Sequence, residues 1–193
     1  MAGQNPYERY LSKEQVMQGE CARLLALRFP NLLWWHTPNE GKRTPYEQFL
    51  FKQMGGLKGV SDFVVLEESN FSKGLMIEIK WGSNPCTIEQ VDFLIRSAKK
   101  GFMAAVVYDD ARDVVSLVEK HLAGGFGIPD EGIVLFKKQV LSVVPFADAH
   151  KFLCKKTKEE AAVEKVKKMF KSKSVKSKKV DRSKLFSHPK IEL

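Results

Sequence analysis

The pattern of apolar and polar positions along the chain predicts an α/β fold. Residues 60–66 and 75–81 are strand-like runs that enclose a polar loop, and residues 101–108 form the most continuously apolar run. Around these runs, apolar residues recur at the spacing typical of helices. The predicted elements are helices at 11–29, 44–54, 88–100, 111–122 and 157–171, and strands at 31–35, 60–66, 75–81, 101–108, 133–136 and 140–144. This order predicts a mixed central β-sheet flanked by helices.

Polar residues that can cap a helix stand at the start of several of these segments. Ser12 is followed at the capping-box position by Gln15, Thr44 precedes a proline at the first helical position, and Thr87 opens the helix at 88–100. The predicted apolar stripe of the first helix is Val16, Cys21, Leu24, Leu25 and Leu27. The predicted apolar face of the second helix is Tyr46, Phe49 and Leu50.

Three charged residues can converge if the strands at 60–66 and 75–81 pair as a hairpin. Asp62 opens the first strand, and alternation places Glu78 and Lys80 on one face of the second. Two carboxylates are hard oxygen ligands of the kind that Mg²⁺ or Mn²⁺ takes, and a neighbouring lysine can orient or deprotonate a metal-bound water. The set suits metal-assisted hydrolysis of a phosphodiester. Spacing alone leaves a second interpretation equally open, in which Glu78 and Lys80 are a solvated pair on the outer face of a hairpin.

The same residues resemble the PD-(D/E)xK nuclease pattern, here Ser61-Asp62, fifteen intervening residues and then Glu78-Ile79-Lys80. More narrowly, the segments 59–63, 77–80 and 88–90 resemble the virus-type replication-repair nuclease (VRR-NUC) family, across residues 13 to 120. Serine stands at position 61 where the family usually has proline. The resemblance implies a restriction-endonuclease-like α/β core, to which the charge distribution adds a basic C-terminal tail.

The resemblance also implies roles for the residues of the motif. It implies that Asp62, Glu78 and the carbonyl of Ile79 hold Mg²⁺ or Mn²⁺. It implies that Lys80 positions or activates the attacking water.

Two helices are implied to complete the site. In the family, a glutamate of the first helix and a glutamine four residues later add to the metal site, and Glu14 and Gln18 fall at those places. Glu20 is the competing glutamate. Gln90 lies in the first turn of a later helix, where its amide could reach a metal-bound water or a phosphate. Without the resemblance, a surface position is the favoured interpretation for Glu14, Gln18 and Gln90.

Basic residues in two places are candidates for phosphate contact. The loop after the strand at 31–35 carries Lys42 and Arg43, which would meet a backbone phosphate near the metal, with a solvated turn as the alternative. His36 at the end of that strand is left without an assignment. The basic tail contributes Lys171, Lys173, Lys176, Lys178 and Lys179 as candidate nucleic-acid contacts.

The positive charge of the chain belongs to its C-terminal segment. Residues 1–150 hold 17 Lys/Arg and 18 Asp/Glu, whereas residues 151–193 hold 15 and 5, a net charge of +10. This division predicts a nearly neutral nuclease-like domain at 1–150, and at 151–193 a lysine-rich helix and flexible tail. Nucleic acid is the favoured partner of the tail, and a solubilising or targeting role remains open, as does a docking role for its end at 185–189.

The composition limits the cellular setting. Three scattered cysteines show neither zinc-ligand spacing nor a disulfide pattern, which favours a reducing, intracellular location. No apolar run is long enough to cross a membrane. A bacterial or host cytoplasm is expected, and a phage origin is suggested by family habit alone.

The resulting hypothesis is a Mg²⁺- or Mn²⁺-dependent DNA endonuclease acting in replication, recombination or repair. The resemblance implies selectivity for branched DNA, such as Holliday junctions or flaps, and pairing as a homodimer. Two rival hypotheses remain: a non-catalytic nucleic-acid-binding protein that keeps the fold, and a phage structural or interaction protein whose tail docks elsewhere.

Overall fold

The computed structural model describes residues 6–38, 43–124 and 132–154. Within these ranges the strands are β1 (Trp34–His36), β2 (Phe63–Val65), β3 (Leu75–Lys80), β4 (Met103–Tyr108), β5 (Gly132–Lys137) and β6 (Val140–Pro145). The helices are α1 (Lys13–Arg28), α2 (Pro45–Gln53), α3 (Ile88–Ala98), α4 (Ala111–Leu122) and α5 (Phe146–Leu153), preceded by a 3₁₀ turn at Glu8–Tyr10. The helix predicted at 157–171 lies outside the described residues.

The six strands form one mixed sheet in chain order. β1, β2 and β3 pair antiparallel, β3, β4 and β5 pair parallel, and β6 returns antiparallel to β5. The parallel pairs are joined through α3 and α4, because parallel neighbours need a crossover connection. The predicted α/β class, a mixed sheet flanked by helices, is confirmed, and it is consistent with the PD-(D/E)xK core that the motifs implied.

Helices cover both faces of the sheet and bury one apolar cluster on each. On one face, α1 and α4 pack on alternate residues of the strands, with Leu25 and Leu117 among the fully buried side chains. On the other face, α3 and α5 pack on the intervening residues, around Leu94 and Val106. Within the described residues no helix combines the length and apolar character needed to cross a bilayer.

The buried face of α1 is rotated from the predicted stripe. Cys21 and Leu25 are buried as predicted, whereas Val16 and Leu27 are 54% and 72% exposed. At about 100° per residue these two positions lie on the side of the helix opposite Leu25. A glutamine, Gln18, takes a buried place on the inner face instead. The prediction was therefore right for Cys21 and Leu25 and wrong for Val16 and Leu27, whose apolar side chains do not face the sheet.

The capping predictions are confirmed, whereas the predicted apolar face of α2 is not buried. Capping boxes begin α1 at Ser12, α2 at Thr44 and α3 at Thr87. On α2, Tyr46 and Phe49 are mostly exposed, because no described element covers that side of the helix.

Candidate active site

The candidate site lies where the start of β2 meets the end of β3. Phe63 pairs with Ile77 in the antiparallel ladder, so Asp62 comes opposite Glu78, one position further along. Asp62, Glu78 and Lys80 are all buried, at 5%, 0% and 5% exposure. Burial excludes the interpretation of Glu78 and Lys80 as a solvated surface pair. The chain places both carboxylates and the ammonium at one edge of the sheet.

The Asp62 side chain is fixed by the neighbouring strand. Its Oδ2 accepts a hydrogen bond from the Ile79 backbone N–H at 2.8 Å, and its own carbonyl accepts one from the Thr37 N–H at 2.8 Å. Burial raises the pKa of Asp62, and this effect outweighs the Ile79 N–H and the Lys80 charge, which favour the carboxylate. The Ile79 N–H therefore fixes the Asp62 side chain, and the Thr37 N–H fixes its backbone. The second carboxylate oxygen takes no part in the bond to Ile79.

Glu78 is fully buried, and only one of its oxygens has a partner. Its Oε1 accepts hydrogen bonds from Lys80 Nζ at 2.6 Å and from Gln90 Nε2, whereas Oε2 has none. Burial and the nearby Asp62 charge raise the pKa of Glu78 from 4.5 to about 8, against the opposing effect of Lys80. The unpaired oxygen and the raised pKa together indicate that the positive charge around Glu78 does not fully compensate its ionised carboxylate.

Lys80 stands between two carboxylates. Its Nζ lies 2.6 Å from Glu78 Oε1 and 3.5 Å from Glu14 Oε1. Burial on its own lowers the pKa of Lys80, but the Glu78 and Glu14 carboxylates outweigh it, so the net shift is upward. Lys80 is therefore a charged hydrogen-bond donor at neutral pH.

Of the two competing glutamates of α1, Glu14 faces the site. Its Oε2 accepts a hydrogen bond from Asn84 Nδ2 at 3.4 Å, in the turn after β3. Glu20 instead pairs with Arg23 on the surface of α1, at 2.7 Å. One turn after Glu14, the side chain of Gln18 is buried and its Nε2 has no partner. The functional roles of Glu14 and Gln18 stay predictions.

The side-chain amide of Gln90 makes hydrogen bonds both at the start of α3 and to Glu78. Its Oε1 accepts the Thr87 N–H at 2.8 Å in the capping box of α3, and its Nε2 donates to Glu78. The backbone of Gly59, at φ +72°, lies against this first turn, and an added Cβ there would overlap Glu89 and come within 2.6 Å of the Gln90 nitrogen. A glycine at 59 therefore lets α3 approach closely enough for Gln90 to reach the carboxylate.

The basic candidates lie elsewhere or outside the described residues. The guanidinium of Arg43 stacks over the ring of Phe51 at 4.3 Å, and its carbonyl accepts a hydrogen bond from Gln48. Phosphate contact by Arg43 stays a prediction. Lys42 is not among the described residues, and neither are the tail candidates Lys171, Lys173, Lys176, Lys178 and Lys179.

Two residues at the end of β1 were missed by sequence reasoning. His36 ends β1 and pairs with Phe63, and Thr37 follows it and lies across from Asp62. His36 Nε2 and Thr37 Oγ1 are buried without a partner. The available signal was a pair of polar residues after an apolar strand, but their position beside Asp62 depends on strand register.

The residues fit a divalent cation by their chemistry. Among the described residues, no three His, Cys, Asp or Glu side chains are already gathered closely enough to hold a metal ion. Yet Asp62 and Glu78 are buried carboxylates with raised pKa values, and Glu78 Oε2 is a buried acceptor with no donor. Oxygen donors of this kind suit Mg²⁺ or Mn²⁺, and a cation would satisfy the orphaned oxygen.

Comparisons with known proteins find similarity to solved structures. No protein-family model matches the sequence, and no curated protein matches it. A solved chain described as "VRR_NUC domain protein" is similar at 21% sequence identity, over 64% of this chain and 94% of that one, with a TM-score of 0.46. The family in that description is the one that the sequence motifs resemble.

Proposed function

We propose that this protein is a metal-dependent nuclease that hydrolyses phosphodiester bonds. The observation that carries the proposal is the buried group of Asp62, Glu78 and Lys80 at one sheet edge, with Glu78 Oε2 unpaired. Burying two carboxylates and an ammonium together costs desolvation free energy that their mutual attraction repays only in part, so stability alone does not account for the group. Perturbed, partly unsatisfied ionisable groups of this kind are concentrated at functional sites.

The metal ligands in this proposal are Asp62, Glu78, the carbonyl of Ile79 and Glu14. A bound Mg²⁺ or Mn²⁺ would neutralise phosphoryl oxygens and supply a water that ionises near neutral pH. Asp62 is oriented for such a role by the Ile79 N–H, and Gln90 holds Glu78 in place.

The charge state of Lys80 favours one of its two predicted roles. Because its pKa is raised, Lys80 keeps its proton at neutral pH and cannot accept one. An ammonium can donate hydrogen bonds to the attacking water and to the developing charge on the phosphate. In this proposal Lys80 positions the water and stabilises charge, and it does not act as a general base.

DNA is the proposed substrate, with branched forms such as junctions and flaps preferred. The lysine-rich segment 151–193, with a net charge of +10, supports binding to a polyanion. The preference for branched DNA and a role in replication, recombination or repair are carried by the motif resemblance. The free thiols of the three cysteines support an intracellular setting.

A homodimer is also part of the proposal. The uncovered side of α2, which includes Tyr46 and Phe49, is where we propose that a second copy packs. Light scattering after size exclusion would give twice the chain mass for the wild-type protein and a lower mass for a Tyr46→Lys, Phe49→Lys variant. A wild-type mass equal to that of one chain would remove the dimer from the proposal.

One observation favours a second candidate function, a nucleic-acid-binding protein without catalysis. Lys80 already occupies Glu78 Oε1 and lies 3.5 Å from Glu14, so internal charge partly compensates the carboxylates. A fold that keeps this ion pair for stability alone could bind DNA through its basic segment and cut nothing.

A cleavage assay separates the two candidates. Labelled single strand, duplex, 5′ flap and four-way junction would be incubated with Mg²⁺, Mn²⁺ or EDTA. The proteins would be wild type, Glu78→Gln and, as a matched control, Glu68→Gln, which changes an exposed glutamate. Metal-dependent cutting that is lost in Glu78→Gln and kept in Glu68→Gln is expected. Binding without cutting on every substrate would favour the second candidate.

A further inference from the structure

Three buried donor atoms near Asp62 have no acceptor. They are Gln18 Nε2, His36 Nε2 and Thr37 Oγ1, and with Glu78 Oε2 they make up the unpartnered buried side-chain polar atoms of the described residues. Buried polar groups are nearly always paired in folded proteins, because an unpaired group loses its hydrogen bonds to water and gains none in the protein. Two of the atoms belong to the strand end that pairs with the segment of Asp62, and the third belongs to the helix that carries Glu14. Unpaired buried atoms on these elements indicate a place that another molecule completes.

The strand pairing puts two of these donors beside Asp62. The Thr37 N–H donates to the Asp62 carbonyl at 2.8 Å, which fixes Thr37 directly across the ladder. His36 pairs with Phe63, and the two ring centroids are 5.1 Å apart. Thr37 therefore lies beside Asp62 on the side away from Glu78 and Lys80, and His36 precedes it with its ring packed on Phe63.

The third donor comes from α1. Gln18 lies one helical turn after Glu14, which contacts Lys80. Cys21, one turn further on the same face, has its pKa raised to about 12 by burial and in part by the charges of Glu20 and Asp62. Gln18 is therefore one turn from the residue of α1 that contacts Lys80, on a helix that packs against β3.

The chemistry of the three atoms selects the ligand. An amide nitrogen only donates, a hydroxyl can donate, and the imidazole Nε2 donates in the tautomer that carries its proton there. Neutral donors that lack an acceptor suit an anionic oxygen with several lone pairs. They also bind it without adding positive charge, which would compete with a cation for Asp62 and Glu78.

We infer that Gln18, His36 and Thr37 form a subsite of uncharged donors for a non-bridging oxygen of the substrate phosphodiester. The inference rests on the proposed function, since it names groups that hold the substrate of that site. The ion-pair side of Asp62, with Glu78 and Lys80, and the donor side, with His36 and Thr37, would then face the same phosphate from two directions.

The test measures binding without metal or cleavage. Thr37→Val removes the hydroxyl at nearly constant volume, and His36→Phe keeps the ring packing on Phe63 while removing the nitrogen. Both changes would be made in a Glu78→Gln background, and the Kd for a fluorescein-labelled duplex would be measured in EDTA across a salt series. Each variant is expected to weaken binding about tenfold, the effect of losing one hydrogen bond to a charged group.

The salt dependence distinguishes this subsite from a basic contact or a general loss of structure. Because neutral donors release no counterions, the slope of log K against log salt should stay that of the parent. Thr37→Ser, which keeps the hydroxyl, should restore the affinity. An affinity equal to the parent in both variants overturns the inference. So does a loss that Thr37→Ser fails to restore and that comes with a lower melting temperature.

The outcome is separable from that of the proposed function. If wild-type protein cuts no substrate while Thr37→Val still loses affinity at constant salt slope, the nuclease proposal fails and the phosphate subsite stands. If wild-type protein cuts DNA, and Thr37→Val and His36→Phe bind the duplex in EDTA as tightly as their Glu78→Gln parent, the subsite fails alone.

Discussion

Replacing Glu78 by glutamine should change how the stability of the metal-free protein depends on pH. Burial and the Asp62 charge raise the pKa of Glu78 in the folded protein to about 8, from 4.5 for the free group. A carboxyl with a raised folded pKa holds more protons when folded than when unfolded, over the interval between the two values. The stability that its neutral form contributes is fully present below about pH 4.5 and is lost as pH rises to about 8.

The magnitude follows from the size of the shift. A change of one pKa unit corresponds to about 1.4 kcal/mol, so the shift from 4.5 to about 8 amounts to about 5 kcal/mol at most. Lys80 lies 2.6 Å away and opposes the shift, because it stabilises the ionised form. Glutamine keeps an oxygen that can accept from Lys80 and Gln90, and it places an amide nitrogen where Oε2 has no partner.

Urea unfolding in EDTA at a series of pH values between 4 and 9 would measure this effect. The free energy of unfolding of Glu78→Gln minus that of wild type should rise by about 2 to 5 kcal/mol across the interval. Taking the difference removes the contribution of other titrating groups. Glu68→Gln, at an exposed position, should give a flat difference. A flat difference for Glu78→Gln as well would refute the reasoning that Glu78 is destabilised by burial as an anion.

Three further results are expected. Lys80→Met should lower the cleavage rate by a factor of about 10² to 10⁴ in single-turnover assays and leave the Kd for DNA within about threefold. Unchanged cleavage would contradict the role of the Lys80 ammonium. Removing residues 171–193 should weaken duplex binding in a filter-binding assay. The slope of log K against log salt should fall by about 0.9 for each phosphate that the tail neutralises in the full-length protein. An unchanged slope would show that the tail does not contact DNA phosphates. Gly59→Ala should destabilise the protein by about 1 to 3 kcal/mol more than Gly55→Ala. Both positions have positive φ, but only at position 59 would an added Cβ meet α3. Equal melting temperatures for the two variants would argue against that contact.

The sequence predicted those parts of the site that depend on local pattern. Alternation within one strand places Glu78 and Lys80 on the same face, and a short connection brings Asp62 across from them. The capping box of α3 is equally local, because Thr87 and Gln90 are three residues apart. Such features need only chain geometry and were recognisable from the motif.

The remaining features depend on contacts between distant segments. Thr37 reaches Asp62 through the register of β1 against β2, which neither strand specifies alone. The inward place of Gln18 depends on which side of α1 meets the sheet, and apolar residues on both sides made the sequence ambiguous. The helix α5 has eight residues, about two turns, too few to show a clear period, and no helix was predicted there.

The contact between Gly59 and α3 makes the site mechanically stiff. Gly59 is three residues before Asp62, and the turn of α3 that it touches carries the glutamine bonded to Glu78. A displacement of α3 would therefore move the glutamine that holds Glu78 and would also press on the segment that leads to Asp62. A centre fixed in this way requires little reorganisation during reaction, but it cannot adapt its shape to a stiff partner. We therefore expect the deformability of the nucleic acid to determine which strands enter the site.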